Sequence, residues 1–324
     1  MLLLGLRWAS RFAYFERMFM ARLILFIFCF GFSAFAVEIN LSPSEVTEGQ
    51  TLLLKLSGLN SSQRVVKGSF QERPLIFFPC PMRAENHCAF VSVAMGTDVG
   101  KVPLELTFGE TEKQTIQIKV VAGSYRSEEL KVNSKRVNVN EKNAERAKKE
   151  WEELNEVFKA ITDPPYWKDA FKRPGKGKIT SQFGNKRVFN GELKSFHTGV
   201  DLRGNKKTII RASNSGVVRA AKEFFYAGNM VVLDHGMGVF SNYAHMSRMD
   251  VKPGQKVVRG QVLGRAGATG RVTGPHIHWG MRVSGVRVDP LQFQKTFSLL
   301  WAASKENREE KADSQSKIKK SSPS

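Results

Sequence analysis

Five of the chain's six histidines lie between His197 and His278, and four of the relevant donors fall into two short clusters, His197-Thr198-Gly199-Val200-Asp201 and His276-Ile277-His278-Trp279. On an extended strand, alternation turns His276 and His278 to one face, while Ile277 and Trp279 turn to the other and pack inward. The two imidazoles are then rooted roughly 7 Å apart, near enough to serve one centre. His197 and Asp201 also share a face, but a straight strand would hold them roughly 13 Å apart. Their joint use requires a bend, and Gly199 sits where one is needed. Zinc accepts imidazole nitrogen and carboxylate oxygen, and a catalytic zinc takes three protein ligands with a position left for water. His197, Asp201 and one of His276 and His278 meet that count.

A second group must handle protons. The sequence has no HExxH segment, so the glutamate base of that zinc motif is missing. Histidine has the right unperturbed pKa for the task. His245, within Asn242-Tyr243-Ala244-His245-Met246, and whichever of His276 and His278 is left off the metal are the candidates. His235, in Asp234-His235-Gly236-Met237-Gly238, reads as a hairpin-turn residue without a chemical role.

His197-x-x-x-Asp201, Tyr243-x-His245 and His276-x-His278 resemble, in order, the three motifs of the lysostaphin-type (LytM, M23) zinc metallopeptidases. The likeness extends to Gly228 through Gly236, Val251 through Val257, Gly260 through Gly264 and Thr269 through Pro275, and covers about residues 179–294. The resemblance implies an antiparallel β domain with a zinc-floored groove and endopeptidase action on peptidoglycan cross-links. It implies His197, Asp201 and His278 as the ligands of Zn2+, and His245 and His276 as the catalytic pair. Some family members have lost these residues and act only as amidase activators; this chain keeps all five. The tyrosine that some members carry ahead of the first ligand has no counterpart here, where Phe189, Asn190 and Phe196 stand. That departure bears on fine substrate preference rather than on the metal.

Several elements must position these residues. Residues 168–296 are rich in strand patterns with glycine turns and are read as the M23-type peptidase domain. Ahead of it, residues 37–122 alternate in short runs, such as Leu104, Leu106 and Phe108, then Ile116, Ile118 and Val120. Short strands at this spacing predict an immunoglobulin-like β-sandwich, so the fold class is all-β. Residues 123–167 are a linker containing a helix at 141–162, where Ala144, Ala147, Trp151, Leu154, Phe158 and Ile161 recur at steps of three and four. Pro164-Pro165 is expected to stop that helix. It either docks on a domain or covers the groove. Residues 297–324 mix Lys, Glu and Ser and are expected to be a disordered tail.

Residues 1–36 set the compartment. Arg22 is followed by an apolar run from Leu23 that ends Ala34-Phe35-Ala36, the parts of a secretory signal peptide. The residues before Met18 or Met20 add three arginines and read as an over-early start. An uncleaved signal anchor is the alternative; either way the location is periplasmic or secreted. Cleavage after Ala36 leaves Cys80 and Cys88, which in an exported chain are expected to form one disulfide. A metal site using these cysteines and His87 is disfavoured, since adjacent side chains on an extended chain point apart.

The formal charge is +20, and residues 171–295 contain 22 basic and 6 acidic residues. Such an excess draws the domain toward a polyanion. Export points to peptidoglycan, whose stem peptides carry carboxylates, and away from nucleic acid. The turns at Pro253-Gly254 and Gly260 to Gly264 also look like a lipoyl or biotinyl hammerhead, but lack a lysine at a hairpin tip. The expected activity is therefore a zinc-dependent peptidoglycan endopeptidase, a D,D-endopeptidase in the periplasm, acting as a monomer. A non-enzymatic regulator of another wall hydrolase is the rival reading. A regulatory partner would bind through the N-terminal β domain.

Overall fold

The computed structural model describes residues 37–301, apart from 65, 131–139 and 190–191. The expected signal peptide at 1–36 and the part of the expected tail beyond 301 lie outside the described residues. Strands dominate, and among the described residues no helix is long and apolar enough to cross a membrane.

Two sheets face each other at the N-terminal end. One has the order β1 (Glu38–Ser42), β3 (Thr51–Ser57), β7 (Arg83–Ser92), β6 (Phe77–Cys80). The other has the order β2 (Glu45–Thr47), β9 (Glu112–Val121), β8 (Gly100–Phe108), β4 (Val66–Phe70), β5 (Arg73–Pro74). Between them Leu52, Leu54 and Leu56 of β3 and Ala89 and Val91 of β7 meet Leu104, Leu106 and Phe108 of β8 and Ile118 and Val120 of β9. The period of two that fills this core leaves Leu53, Cys88 and Phe90 on the opposite face. That face is covered too, because these residues belong to the core of the C-terminal half. Cys80 and Cys88 are bonded to each other across the β6–β7 hairpin.

The C-terminal half is built on an eight-stranded sheet. Its order is β11 (Ile179–Ser181), β14 (Val200–Arg203), β22 (His276–Val283), β18 (Val239–Met246), β17 (Gly228–Asp234), β16 (Gly216–Phe224), β20 (Lys256–Val257), with β23 (Val286–Val288) folded back on β22. A small sheet of β15 (Ile209–Arg211), β21 (Val262–Arg265) and β19 (Arg248–Met249) lies beside it. A third sheet departs from the expected linker. β10 (Ser127–Leu130), from the stretch read as connecting chain, pairs in parallel with β12 (Lys186–Phe189), whose other neighbour is β13 (Glu192–Phe196). The C-terminal half thus takes in a strand from before the helix.

Helix α1 (Glu141–Phe158) is capped by the Asn140 side chain, which accepts from the Asn143 N–H. It ends four residues before Thr162. The chain beyond Lys159 is held instead by the β17–β18 hairpin, where Thr162 O accepts from Met237 N at 2.8 Å and Thr162 Oγ1 donates to Asp234 Oδ2 at 2.7 Å. The docked face is also narrower than its periodicity suggests. Leu154, Val157 and Phe158 pack on Phe224, Met230 and Phe240, whereas Trp151 and Ile161 are 56% and 58% exposed.

The expected disorder from 297 does not hold up to Trp301. Helix α2 (Pro290–Ser298) starts on an Asp289 cap and runs into a 3-10 turn at Leu299–Trp301. Phe293, Phe297 and Leu300, at steps of four and three, are buried against Phe90, Trp167 and Phe171. Apolar spacing prevailed over the polar residues around it.

Candidate active site

Register brings the two clusters together. β14 and β22 run antiparallel with Asp201 opposite His278 and Arg203 opposite His276, while β18 on the other flank sets Ala244 against His278. His197 arrives from the break between β13 and β14, the bend its spacing from Asp201 demanded. Gly199 serves that bend differently from expectation. A Cβ there would lie 2.4 Å from Trp279 O and 2.8 Å from the His278 ring, so the glycine is needed for close approach of β22.

Three donor atoms converge. His197 Nε2 is 3.0 Å from Asp201 Oδ1 and 3.2 Å from His278 Nδ1, and those two atoms are 2.8 Å apart. In a tetrahedral zinc site with bonds of about 2.05 Å, ligand atoms sit about 3.3 Å from one another. The spacing and the donor set therefore fit that ion, which His197 Nε2, His278 Nδ1 and one oxygen of Asp201 would hold. All three residues are buried. Burial alone would raise the Asp201 carboxyl, but its hydrogen bonds with His197 and His278 outweigh this and hold it well below the usual carboxylate range. Burial pushes His278 down to about 4, against the pull of Asp201.

A surrounding layer fixes these ligands. His197 Nδ1 lies 2.8 Å from Gln182 O and 2.9 Å from Ser181 Oγ, so the ring proton sits on Nδ1 and Nε2 is free to bind metal. Ser181 Oγ in turn donates to Glu128 Oε2 at 2.9 Å, and Asn185 Nδ2 donates to Glu128 Oε1 at 2.6 Å. Asn185 O accepts from the His197 N–H. Glu128, on the linker strand β10, thereby braces both the ring and the backbone of a ligand. Asp201 uses its second oxygen to accept from Arg187 Nη2 at 3.2 Å. Sequence reasoning missed Glu128, Ser181 and Arg187. The only signal for them is the strand pattern around β11 and β12, which identifies no partner.

His245 and His276 stand over this cluster, their ring centroids 5.1 Å apart, with His245 also 5.8 Å from His278. His245 donates from Nδ1 to Thr269 O at 2.9 Å, and His276 from Nδ1 to Gly274 O at 2.8 Å. Each therefore turns its Nε2 away from that carbonyl, and His276 Nε2 is 3.5 Å from Asp201 Oδ1. Burial, reinforced by His278 and His276, pushes His245 down to about 3 and keeps it neutral. His245 also has φ of 60°, a left-handed conformation that a histidine on a strand adopts only when its surroundings impose it. His235 stays outside the cluster. It is fully buried, between Ser215 O and Ser241 Oγ.

A cleft passes over the site. On one side a cavity of about 310 Å³ is lined by Trp151 of α1, Phe196, Tyr226 and Arg271, with His245 and His278 at its base. On the other, a cavity of about 460 Å³ is lined by Glu128, Arg187, Asp201, Pro275 and His276. Helix α1 is thus a wall of the cleft.

A β domain with a His-Asp-His centre and two further histidines beside it defines a metallopeptidase-like site. Residues 195–290, which carry the site, match the model of peptidase family M23. Peptidoglycan DD-endopeptidase ShyA of Vibrio cholerae is 40% identical over 118 residues, covering 36% of this chain and 27% of that protein. DD-carboxypeptidase/endopeptidase Mpg of Neisseria meningitidis is 37% identical over 114 residues, covering 35% of this chain and 26% of that protein. The chain thus spans about a quarter of the length of these curated relatives. A crystal structure from Pseudomonas aeruginosa assigned to peptidase M23 superposes with a TM-score of 0.61 at 27% identity, covering 78% of this chain and 96% of that one. That coverage exceeds the family match alone, so the N-terminal region is part of the shared architecture.

Proposed function

We propose that the chain is an exported zinc peptidase that hydrolyses cross-link peptides of peptidoglycan, a DD-endopeptidase. The observation that carries this reading is the three-donor cluster facing the imidazoles of His245 and His276. Bound zinc would supply a Lewis acid and a water of lowered pKa. His276, beside Asp201, and His245, across the cluster, are the groups within reach to take and return the proton and to donate to a developing oxyanion. The neutrality of His245 suits the first task, and the hydrogen bonds that anchor both Nδ1 atoms fix which nitrogen faces the cleft. The DD-endopeptidase relatives support the substrate, and the open cleft suits an extended peptide. The basic residue, apolar run and Ala34-Phe35-Ala36 ending support export to the periplasm or beyond.

We also read the N-terminal sandwich as immunoglobulin-like. In chain order its first sheet is first, third, seventh, sixth, which corresponds to the A-B-E-D order of that fold. It is the surface on which a regulatory protein would act.

Digestion of purified sacculi, with mass spectrometry of the released fragments, tests the activity. His278→Ala is expected to lose both bound zinc and lysis. His245→Ala is expected to keep zinc, measured by metal analysis, while turnover falls by about 100-fold or more. A His278→Ala protein that still digests sacculi would overturn the assignment.

A further inference from the structure

The alternation that presents His276 and His278 to the cleft continues along β22 to Gly280 and Arg282. At Ser284-Gly285 the strand turns back, both residues at positive φ, into β23, which sets Arg287 directly opposite Arg282. Two arginines facing each other across antiparallel strands repel, an arrangement that costs stability unless something anionic offsets it. Glu152 and Glu156 of α1 line a cavity with Arg282 but form no ion pair with it. Arg282 lies over the Phe158 ring at 4.2 Å, with only the neutral oxygens of Asn155 and Gly285 within 3.4 Å, and neither guanidinium forms an ion pair among the described residues. Burial pushes Arg282 down to about 9, helped by Arg287, and both still carry charge at neutral pH.

The pair is joined to the catalytic centre. Arg282 and Arg287 line the cavity that has His245 and His278 at its base, and a second cavity of about 500 Å³ that continues past Thr198 to Arg73 of the N-terminal sandwich. Exposed Trp151 and Phe196 flank both.

We propose that Arg282 and Arg287 form a carboxylate-binding subsite that holds an acidic group of the peptide substrate away from the scissile bond. The occupant is a peptide carboxylate because two guanidiniums offer fork-shaped donors matched to it, and the flanking aromatic walls suit the adjoining chain. Four residues along β22 place Arg282 roughly 13 Å from His278, the span of about four extended residues. Allowing for the length of the side chain, the carboxylate sits roughly two to four residues from the bond that is cut.

The proposal rests on reading the cleft as a peptide site, and binding can be measured apart from turnover. The probes are a synthetic stem tetrapeptide with free carboxylates and its fully amidated counterpart, titrated into the zinc-loaded full chain by calorimetry. The wild type is expected to bind the free form about 10-fold more tightly. Arg287→Gln, at an exposed position, should reduce that preference to about twofold and leave the Kd of the amidated form unchanged; the Arg282→Gln/Arg287→Gln double variant should abolish it. An unchanged preference in both variants, equal loss of affinity for both peptides, or no binding by the wild type would overturn the subsite. Digestion of sacculi in parallel separates the two readings: a protein that prefers the free peptide yet digests nothing keeps the subsite and loses the peptidase assignment.

Discussion

At the scale of single residues, the ligands were legible because chemistry restricts them to few residue types and alternation restricts their direction. His276-x-His278 announces two imidazoles on one face, and His197 with Asp201 announces a bend. The choice of His278 over His276 as ligand rests on family resemblance, and the register that sets Asp201 opposite His278 agrees with it. The brace behind His197 could not be read in advance. Glu128 lies 53 residues from Ser181, and no periodicity links a carboxylate on one strand to a serine on another. Outer-layer carboxylates commonly orient a metal-bound imidazole and raise its basicity. Glu128→Gln is accordingly expected to weaken zinc affinity by about 10-fold, measured by chelator competition, with an unchanged circular dichroism spectrum. Ser181→Ala should have a similar effect, and the double variant should be no worse than either alone if the contact runs through the serine.

At the scale of elements, close approach of strands is what makes the centre. Gly199→Ala would insert a methyl group 2.4 Å from Trp279 O. The expected result is separation of β14 from β22 and a drop in zinc affinity of about 10-fold or more, because overpacking shifts backbone that the ligands depend on. The sheet itself depends on a buried polar chain. Side-chain hydrogen bonds link His235 to Ser241 and Ser241 to Tyr243, and the Tyr243 hydroxyl accepts from the Ser213 N–H. Burial pushes His235 down to about 4, whereas in the unfolded chain it titrates near 6.5. The unfolded state binds the extra proton across that window, so this contribution is full above about pH 6.5 and is lost as pH falls toward 4. It amounts to about 3 kcal/mol. Urea midpoints of the metal-free protein should therefore fall from pH 7.5 to pH 5, and fall less in His235→Gln. The sequence marked His235 only as a turn residue, since a turn position does not reveal how deeply its hairpin is packed.

At the scale of the whole molecule, the two halves are joined by a shared aromatic core. Phe90 of the sandwich touches Phe293 and Phe297 of α2, and Phe78 touches Trp167. The alternation in β3 and β7 showed one buried face, but whether the other was covered depended on residues some 200 positions away. With the four-stranded sheet buried on both sides, residues 37–301 are expected to unfold in one calorimetric transition. Phe90→Ala should cost about 3–5 kcal/mol and lower that single Tm without splitting it. The linker strand β10 carries this interdependence to the chemistry. A fragment cut at residue 168 would keep the four histidines and the aspartate of the site but forfeit Glu128. In evolutionary terms, the peptidase half is no freely exchangeable cassette: recombination at its apparent border would leave part of the ligand cradle with the wrong parent.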